Sequence, residues 1–170
     1  MKTIFGNLGG WLTCLLISGF AMSVSCKAWA QARDSPSTLP NFTFYKFDGK
    51  PFTPKDVSPG TRSFFILFDV GCEHCQREIL SIGEHYKEFK NTSFYMVTLD
   101  QKPAVDKFMN YYGRYLHDKP NVILLQDKKY EFISKFLPKR YPGLFIYSPD
   151  KKLLLARSGQ TPLQDLLKVL

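Results

Sequence analysis

"SFFILFDVGCEHCQREILSIGEHYKEFK", Ser63 to Lys90, changes its repeat halfway along. Ser63 to Asp69 is a short apolar run closed by an acid, the pattern of a strand covered on both faces. Beyond Glu73, Ile79, Ile82, Tyr86 and Phe89 recur at helical spacing and make one stripe. Cys72 and Cys75 stand at the joint, spaced C-x-x-C. A buried strand therefore feeds a helix whose first turn carries the pair. Three readings of such a pair are open: a redox couple, half of a metal site, or a static disulfide.

The chain has 170 residues and four cysteines, with 44% hydrophobic and 22% charged residues. That is enough for one domain with a true core and ordinary for a soluble protein. Lys2 is the only charge before Lys27, and the densest apolar part between them is Trp11 to Ala21. "AWA" and "AQA" follow, both small-x-small, so residues 1–30 read as a secretory signal cleaved after Ala30 or Ala32. Two alternatives stay open: an uncleaved anchor, because Thr3 to Cys26 is uncharged and long enough to span, and lipidation of Cys26. Cleavage removes Cys14, Cys26, Trp11 and Trp29, and leaves Cys72–Cys75 as the only pair. An exported chain with one C-x-x-C pair is not a multi-disulfide scaffold. The net charge is +8, and losing Lys2 and Lys27 leaves +6. No Lys/Arg run exceeds two residues, so a solvated basic surface is expected and no nucleic-acid site. A monomer is expected.

Residues 31–41, with two prolines, read as a linker. Residues 42–170 hold the remaining pattern. Strands are expected at Phe42–Phe47, Ser63–Asp69, Ser93–Asp100 and Asn121–Gln126. "PFTPKDVSPGT" reads as loop. Helices are expected from Glu73 to Lys90, from Pro103 with Val105, Phe108, Met109 and Tyr112 on one face, and from Lys129 to Leu137. Gly143–Ser148 and Lys151–Arg157 flank "SPDK" and read as a hairpin. A last helix follows Thr161, with Thr161 as cap, Pro162 first and Gln164 closing a capping box. Alternating strands and helices imply parallel pairing, and the hairpin adds antiparallel strands: an α/β mixed sheet with helices on both faces.

Cys72 falls at the positive end of its helix, near unpaired N–H groups that favour a thiolate. Cysteines so placed have pKa values lowered to roughly 3.5–7.5. Cys75 is one turn on and faces inward, so Cys72 is the attacking sulfur and Cys75 the resolving one. Glu73 and His74 tune the couple with opposite charges, and their sum has no sign from sequence. Metal binding needs more ligands. His85 lies about 280° around the helix from Cys75, His117 is remote, and there is no second C-x-x-C, so neither a metal nor another cofactor is expected. A static disulfide across so short a loop would stabilise little. Both remaining histidines are expected on solvated helix surfaces.

With "CEHCQRE" and "RYPGLFIY" in place, residues 42–170 resemble the thioredoxin-like superfamily, most nearly the exported TlpA/ResA-type thiol–disulfide oxidoreductases. The resemblance implies a thioredoxin-like mixed sheet flanked by helices, with an inserted strand–helix unit. It implies a cis bond at Tyr141–Pro142 and a Tyr141 backbone that pairs with an extended substrate segment. Glu78 matches a glutamate that assists thiol acid–base chemistry; the alternative is a solvated helix glutamate. The implied partners are cysteine-containing envelope proteins and a membrane redox partner, in a bacterial periplasm or envelope. The sequence departs from the family in two places. Val70–Gly71 stands where a thioredoxin usually has Trp, and Ile66 where it carries a buried acid. A thiol peroxidase and a copper chaperone are the competing functions on this fold. The first needs Thr or Ser where Asp69 stands, and the second a wider cysteine spacing. The direction of electron flow is open.

Overall fold

The computed structural model describes residues 35–170. The signal stretch with Lys2, Cys14 and Cys26, both cleavage positions and the first linker residues lie outside the described residues. The strands are β1 (Phe44–Lys46), β2 (Pro51–Phe52), β3 (Arg62–Leu67), β4 (Thr92–Thr98), β5 (Val122–Gln126), β6 (Gly143–Tyr147) and β7 (Leu153–Ser158). The helices are α1 (Glu73–Glu84), α2 (Lys102–Tyr111), α3 (Glu131–Phe136) and α4 (Leu163–Leu167). One seven-stranded sheet runs β2-β1-β5-β4-β3-β6-β7. β3, β4 and β5 are parallel neighbours, as the β-α-β spacing requires. β6 lies antiparallel to β3 and β7 antiparallel to β6. β1 closes the other side antiparallel to β5, with β2 beyond it.

Strand alternation splits the core. Phe64 and Ile66 of β3, Phe94 and Met96 of β4, and Leu144 and Ile146 of β6 point one way, under α1, α2 and α4. Phe65 and Leu67, Tyr95 and Val97, and Phe145 and Tyr147 point the other way, under α3 and the segment from Phe42 to Val57. Both faces being covered explains the apolar runs Phe64–Leu67, Phe94–Val97 and Leu144–Tyr147 within β3, β4 and β6.

Five details depart from the sequence reading. Pro51–Phe52 is a short strand inside the expected loop, paired with Tyr45 and Phe44. α1 ends at Glu84, and a 3-10 turn, Tyr86–Glu88, keeps Tyr86 and Phe89 on the core side without continuing the helix. α4 has no side-chain cap: the Thr161 hydroxyl donates to Gly159 O at 3.1 Å, and the capping box does not form. His85 caps the end of α1 with Nδ1 2.9 Å from Ser81 O, and His117 pairs with Asp118 at 3.1 Å. Both rings are half-buried, because each is held against its own turn. Within the expected linker, Leu39 N–H donates to Lys151 O and Ser37 O accepts from Leu153 N–H, so this stretch lies along the start of β7.

Candidate active site

The pair sits on a turn held by a chain of hydrogen bonds. Phe68 N–H still bonds Val97 O, so β3 stays on the ladder up to the turn. Val70 N–H then donates to Asp100 Oδ2 across from β4, at 3.1 Å. Gly71 N–H donates to Asp69 Oδ1 at 2.8 Å, and Cys72 N–H to Asp69 O at 3.2 Å. Gln76 Nε2 donates back to Val70 O at 3.1 Å. These bonds fix how the chain enters α1. Asp100 is itself held: it accepts from the Thr98 hydroxyl at 2.8 Å, and its own carbonyl takes Gln126 Nε2 at 3.0 Å.

Cys72 is the N-cap of α1, in extended backbone, and its Sγ accepts the Cys75 N–H at 3.4 Å. The sulfur thus takes a hydrogen bond from one of the helix's otherwise unpaired donors, the place where an anion is best held. Cys72 is half-buried and Cys75 fully buried, and both are free thiols. Burial pushes the Cys75 thiol well above the ordinary thiol range, a backbone hydrogen bond from Asp69 works against that rise, and the Cys72 sulfur adds to it. The two cysteines are therefore different: one on the rim with a donor aimed at it, one behind it holding its proton.

Glu78 is buried, only 2% exposed, on the same inward face as Cys75 and one turn further on. Its Oε2 accepts Thr161 N–H at 2.9 Å. Burial raises its carboxyl to about 7, and the Thr161 bond pulls the other way. This excludes the solvated-glutamate reading and leaves a carboxyl that changes charge near neutrality.

Glu73 and His74 lie on the outer side of α1, exposed. Arg77 joins them: Nη1 is 3.5 Å from Glu73 Oε2, and Nη2 is 3.0 Å from His74 Nδ1. Arginine can only donate, so Nδ1 is the acceptor in this contact. The sequence reading set Glu73 against His74 and missed the third member, although Glu73–Arg77 is an i,i+4 pair visible in sequence.

Tyr141–Pro142 is cis. Leu67 pairs with Gly143, which brings this dipeptide beside the end of the strand that leads to Cys72. The Tyr141 phenol is pushed up by burial first and then by the nearby charge of Asp69, and its half-buried side chain packs against the apolar clusters of both sheet faces. Pro142 O accepts Gly159 N–H at 2.8 Å, whereas Tyr141 N–H and C=O have no hydrogen-bond partner among the described residues. Asp100 and Arg77 are the site residues that sequence reasoning did not single out. Nothing marks an acid at a strand end as the partner of a backbone 30 residues away. Among the described residues no three His, Cys, Asp or Glu side chains gather as a metal set.

A cysteine pair at the start of a helix, beside a cis proline on a mixed sheet, defines a thioredoxin-like protein. The chain belongs to the AhpC/TSA family, whose model matches residues 37–156. It is similar to the thiol-disulfide oxidoreductase ResA of Bacillus subtilis (strain 168), 23% identical over 161 residues that cover 93% of this chain and 86% of ResA. Among solved structures it is similar to a thioredoxin-like protein from Aeropyrum pernix, with TM-score 0.65 and 16% identity, covering 76% of this chain and 87% of that one. A thio-disulfide isomerase from Thermus thermophilus matches with TM-score 0.60 and 20% identity, covering 79% of this chain and 92% of that one. These two likenesses carry the fold.

Proposed function

We propose that the protein is an exported thiol–disulfide oxidoreductase that exchanges a Cys72–Cys75 disulfide with cysteine pairs of envelope proteins. The single observation that carries this is the inequality of the two sulfurs: Cys72 at the helix cap with a donor on it, Cys75 buried behind. The similarity to ResA, named a thiol-disulfide oxidoreductase, supports the same chemistry.

In the reducing direction, the Cys72 thiolate attacks one sulfur of a client disulfide. The client S–S bond breaks, a Cys72–client bond forms, and the departing client sulfur takes a proton. Cys75 then gives up its proton and attacks Cys72 Sγ, and the second client sulfur leaves. The protein pair is oxidised by two electrons and the client reduced by two. The oxidising direction runs the same bonds backward, starting from attack of a client thiolate on Cys72. The difficult proton is the one on buried Cys75. Glu78, one turn away and titrating near neutrality, is suited to take it. The open backbone of Tyr141 suits pairing with an extended client segment. A membrane redox partner restores the starting state. Among the described residues no helix is long and apolar enough to cross a membrane.

The test is disulfide exchange in both directions, on insulin and on a reduced dithiol client, with wild type, Cys72→Ser and Cys75→Ser. Wild type should turn over, Cys72→Ser should be inactive, and Cys75→Ser should accumulate a mixed disulfide. Failure of wild type in both directions, with hydroperoxide consumption or chelator-resistant metal instead, would replace this reading with a peroxidase or a metal-binding one.

A further inference from the structure

We infer that an apolar trough between the start of α1 and the outer face of α2 seats a large apolar or aromatic side chain of the client, close to the client's reacting cysteine. The inference rests on the oxidoreductase reading above and names what that site selects. The trough holds about 440 Å³ and opens to solvent, within the usual size of a side-chain or small-ligand pocket. Val70 and Gln76 form its α1 side, and Ala104, Phe108, Tyr111 and Tyr112 its α2 side.

Its position ties it to the chemistry. Val70 is two residues before Cys72, and the Gln76 N–H donates to the Cys72 carbonyl at 3.0 Å. Two lining residues thus bracket Cys72 along the chain, one in the loop that enters α1 and one in its first turn. Gly71, between Val70 and Cys72, carries no side chain, and a Cβ there would meet only Asp69 Oδ1, at 3.3 Å.

The lining also fits that occupant. The nearby polar groups are already matched: Val70 N–H by Asp100, Val70 O by Gln76. The wall is anchored in the core, with the Phe108 ring 5.0 Å from Phe68 and 5.4 Å from Tyr112. A preformed apolar wall with its polar groups satisfied favours an apolar guest. Tyr111 is 63% exposed at the lip, an aromatic face with no ring or cation stacked on it among the described residues. Lys107 is the one charge in the lining, and it has no ion pair among the described residues. Charge complementarity adds an acidic client residue beside the apolar one.

The experiment uses the full chain in reduced form and follows single-turnover reduction of four symmetric peptide disulfides. Each carries Phe or Ala two residues from the cysteine, combined with Glu or Lys next to it. Bis(2-hydroxyethyl) disulfide, which has no side chain to seat, is the control. Wild type should reduce the Phe peptides roughly three- to tenfold faster than the Ala peptides and should favour Glu over Lys. Tyr111→Ser should erase the Phe preference and Lys107→Glu should reverse the charge preference, neither changing the rate on the control disulfide. Ile133→Ser, which removes an exposed apolar side chain on α3, should change none of these ratios. Equal rates on Phe and Ala peptides, or a preference that survives both trough variants, overturns the inference. So does sedimentation showing a dimer that Tyr111→Ser dissolves, since a second copy would then occupy the trough. A wild type that fails on the control disulfide itself refutes the oxidoreductase reading, a different failure from loss of peptide selectivity.

Discussion

The two faces of the sheet are packed from similar residues and do different work. The face under α3 is a block of rings. Phe136 alone makes stacked, tilted or edge-on ring contacts with Phe42, Phe44, Phe65, Phe132, Phe145 and Tyr147, with centroids 4.2 to 6.3 Å apart. Its one polar anomaly is the Tyr147 hydroxyl, buried with no partner among the described residues. The face under α1, α2 and α4 admits a cysteine, Cys75, and a carboxyl, Glu78, among its apolar side chains. A carboxyl buried there is costly, and the chain retains it one turn from Cys75, whose proton it would take in the proposed exchange. Both faces bury a large apolar core, and one of them carries the cysteine and the carboxyl as well.

The sharpest way to break this division is to damage the ring face and look for an effect on exchange. Phe136→Ala should cost about 3–5 kcal/mol, a large share of the roughly 5–15 kcal/mol that holds a domain. Urea unfolding should show the loss, while the exchange rate per folded molecule stays unchanged. A rate that falls with stability would mean the faces are coupled.

Glu78→Gln should do the reverse. The folded carboxyl titrates near 7, above its ordinary value of 4.5. Below about pH 4.5 both the folded and unfolded forms are protonated, and nothing is lost. Between there and pH 7 the unfolded chain ionises first, so stability falls as pH rises. Above the folded value the loss is complete, about 3 kcal/mol. The amide that replaces the carboxyl keeps an acceptor for Thr161 N–H and carries no charge. The variant should be more stable than wild type at pH 8, equal at pH 4.5, and slower in the Cys75 step. Denaturation at both pH values, with stopped-flow exchange, reads both effects.

Asp100→Ala should cost about 1–3 kcal/mol by leaving Val70 N–H unpaired, and should shift the reduction potential of the pair. Asp100→Asn, which keeps an acceptor, should recover most of the stability. Identical potentials in all three proteins would reduce Asp100 to a purely structural part. The smallest effect belongs to the ring face again. Tyr147→Phe removes an unpartnered buried hydroxyl and should gain up to about 1 kcal/mol, measured by thermal unfolding with exchange unaffected.

Sequence alone carried β3, α1, β4 and the closing hairpin, because continuous apolar runs and helical stripes are local patterns. It placed the cysteine pair at a strand-to-helix joint for the same reason. What it missed is pairing at long range. β2 is two residues inside a proline-rich stretch, recognisable only once Phe44 lies opposite Phe52. The antiparallel fit of β1 on β5 joins Tyr45 to Gln126, which no local repeat encodes. The α4 capping box matched its motif and still failed, because the Thr161 N–H goes to Glu78, 83 residues earlier. Asp127 was equally silent: its buried carboxylate takes the N–H groups of Glu131 and Phe132 and starts α3 from the end of a strand.

The stretch along β7 has a consequence for how the molecule meets others. A mixed sheet has two outer edges, and an open edge invites any extended chain to add itself. Here one edge is the two-residue β2. The other is covered at its start by Ser37–Leu39 and bristles with Lys151, Lys152 and Arg157. Indiscriminate strand addition is thus blunted at both margins. The Tyr141 main chain, without a hydrogen-bond partner among the described residues and next to the end of β3, is where the proposed client strand would add.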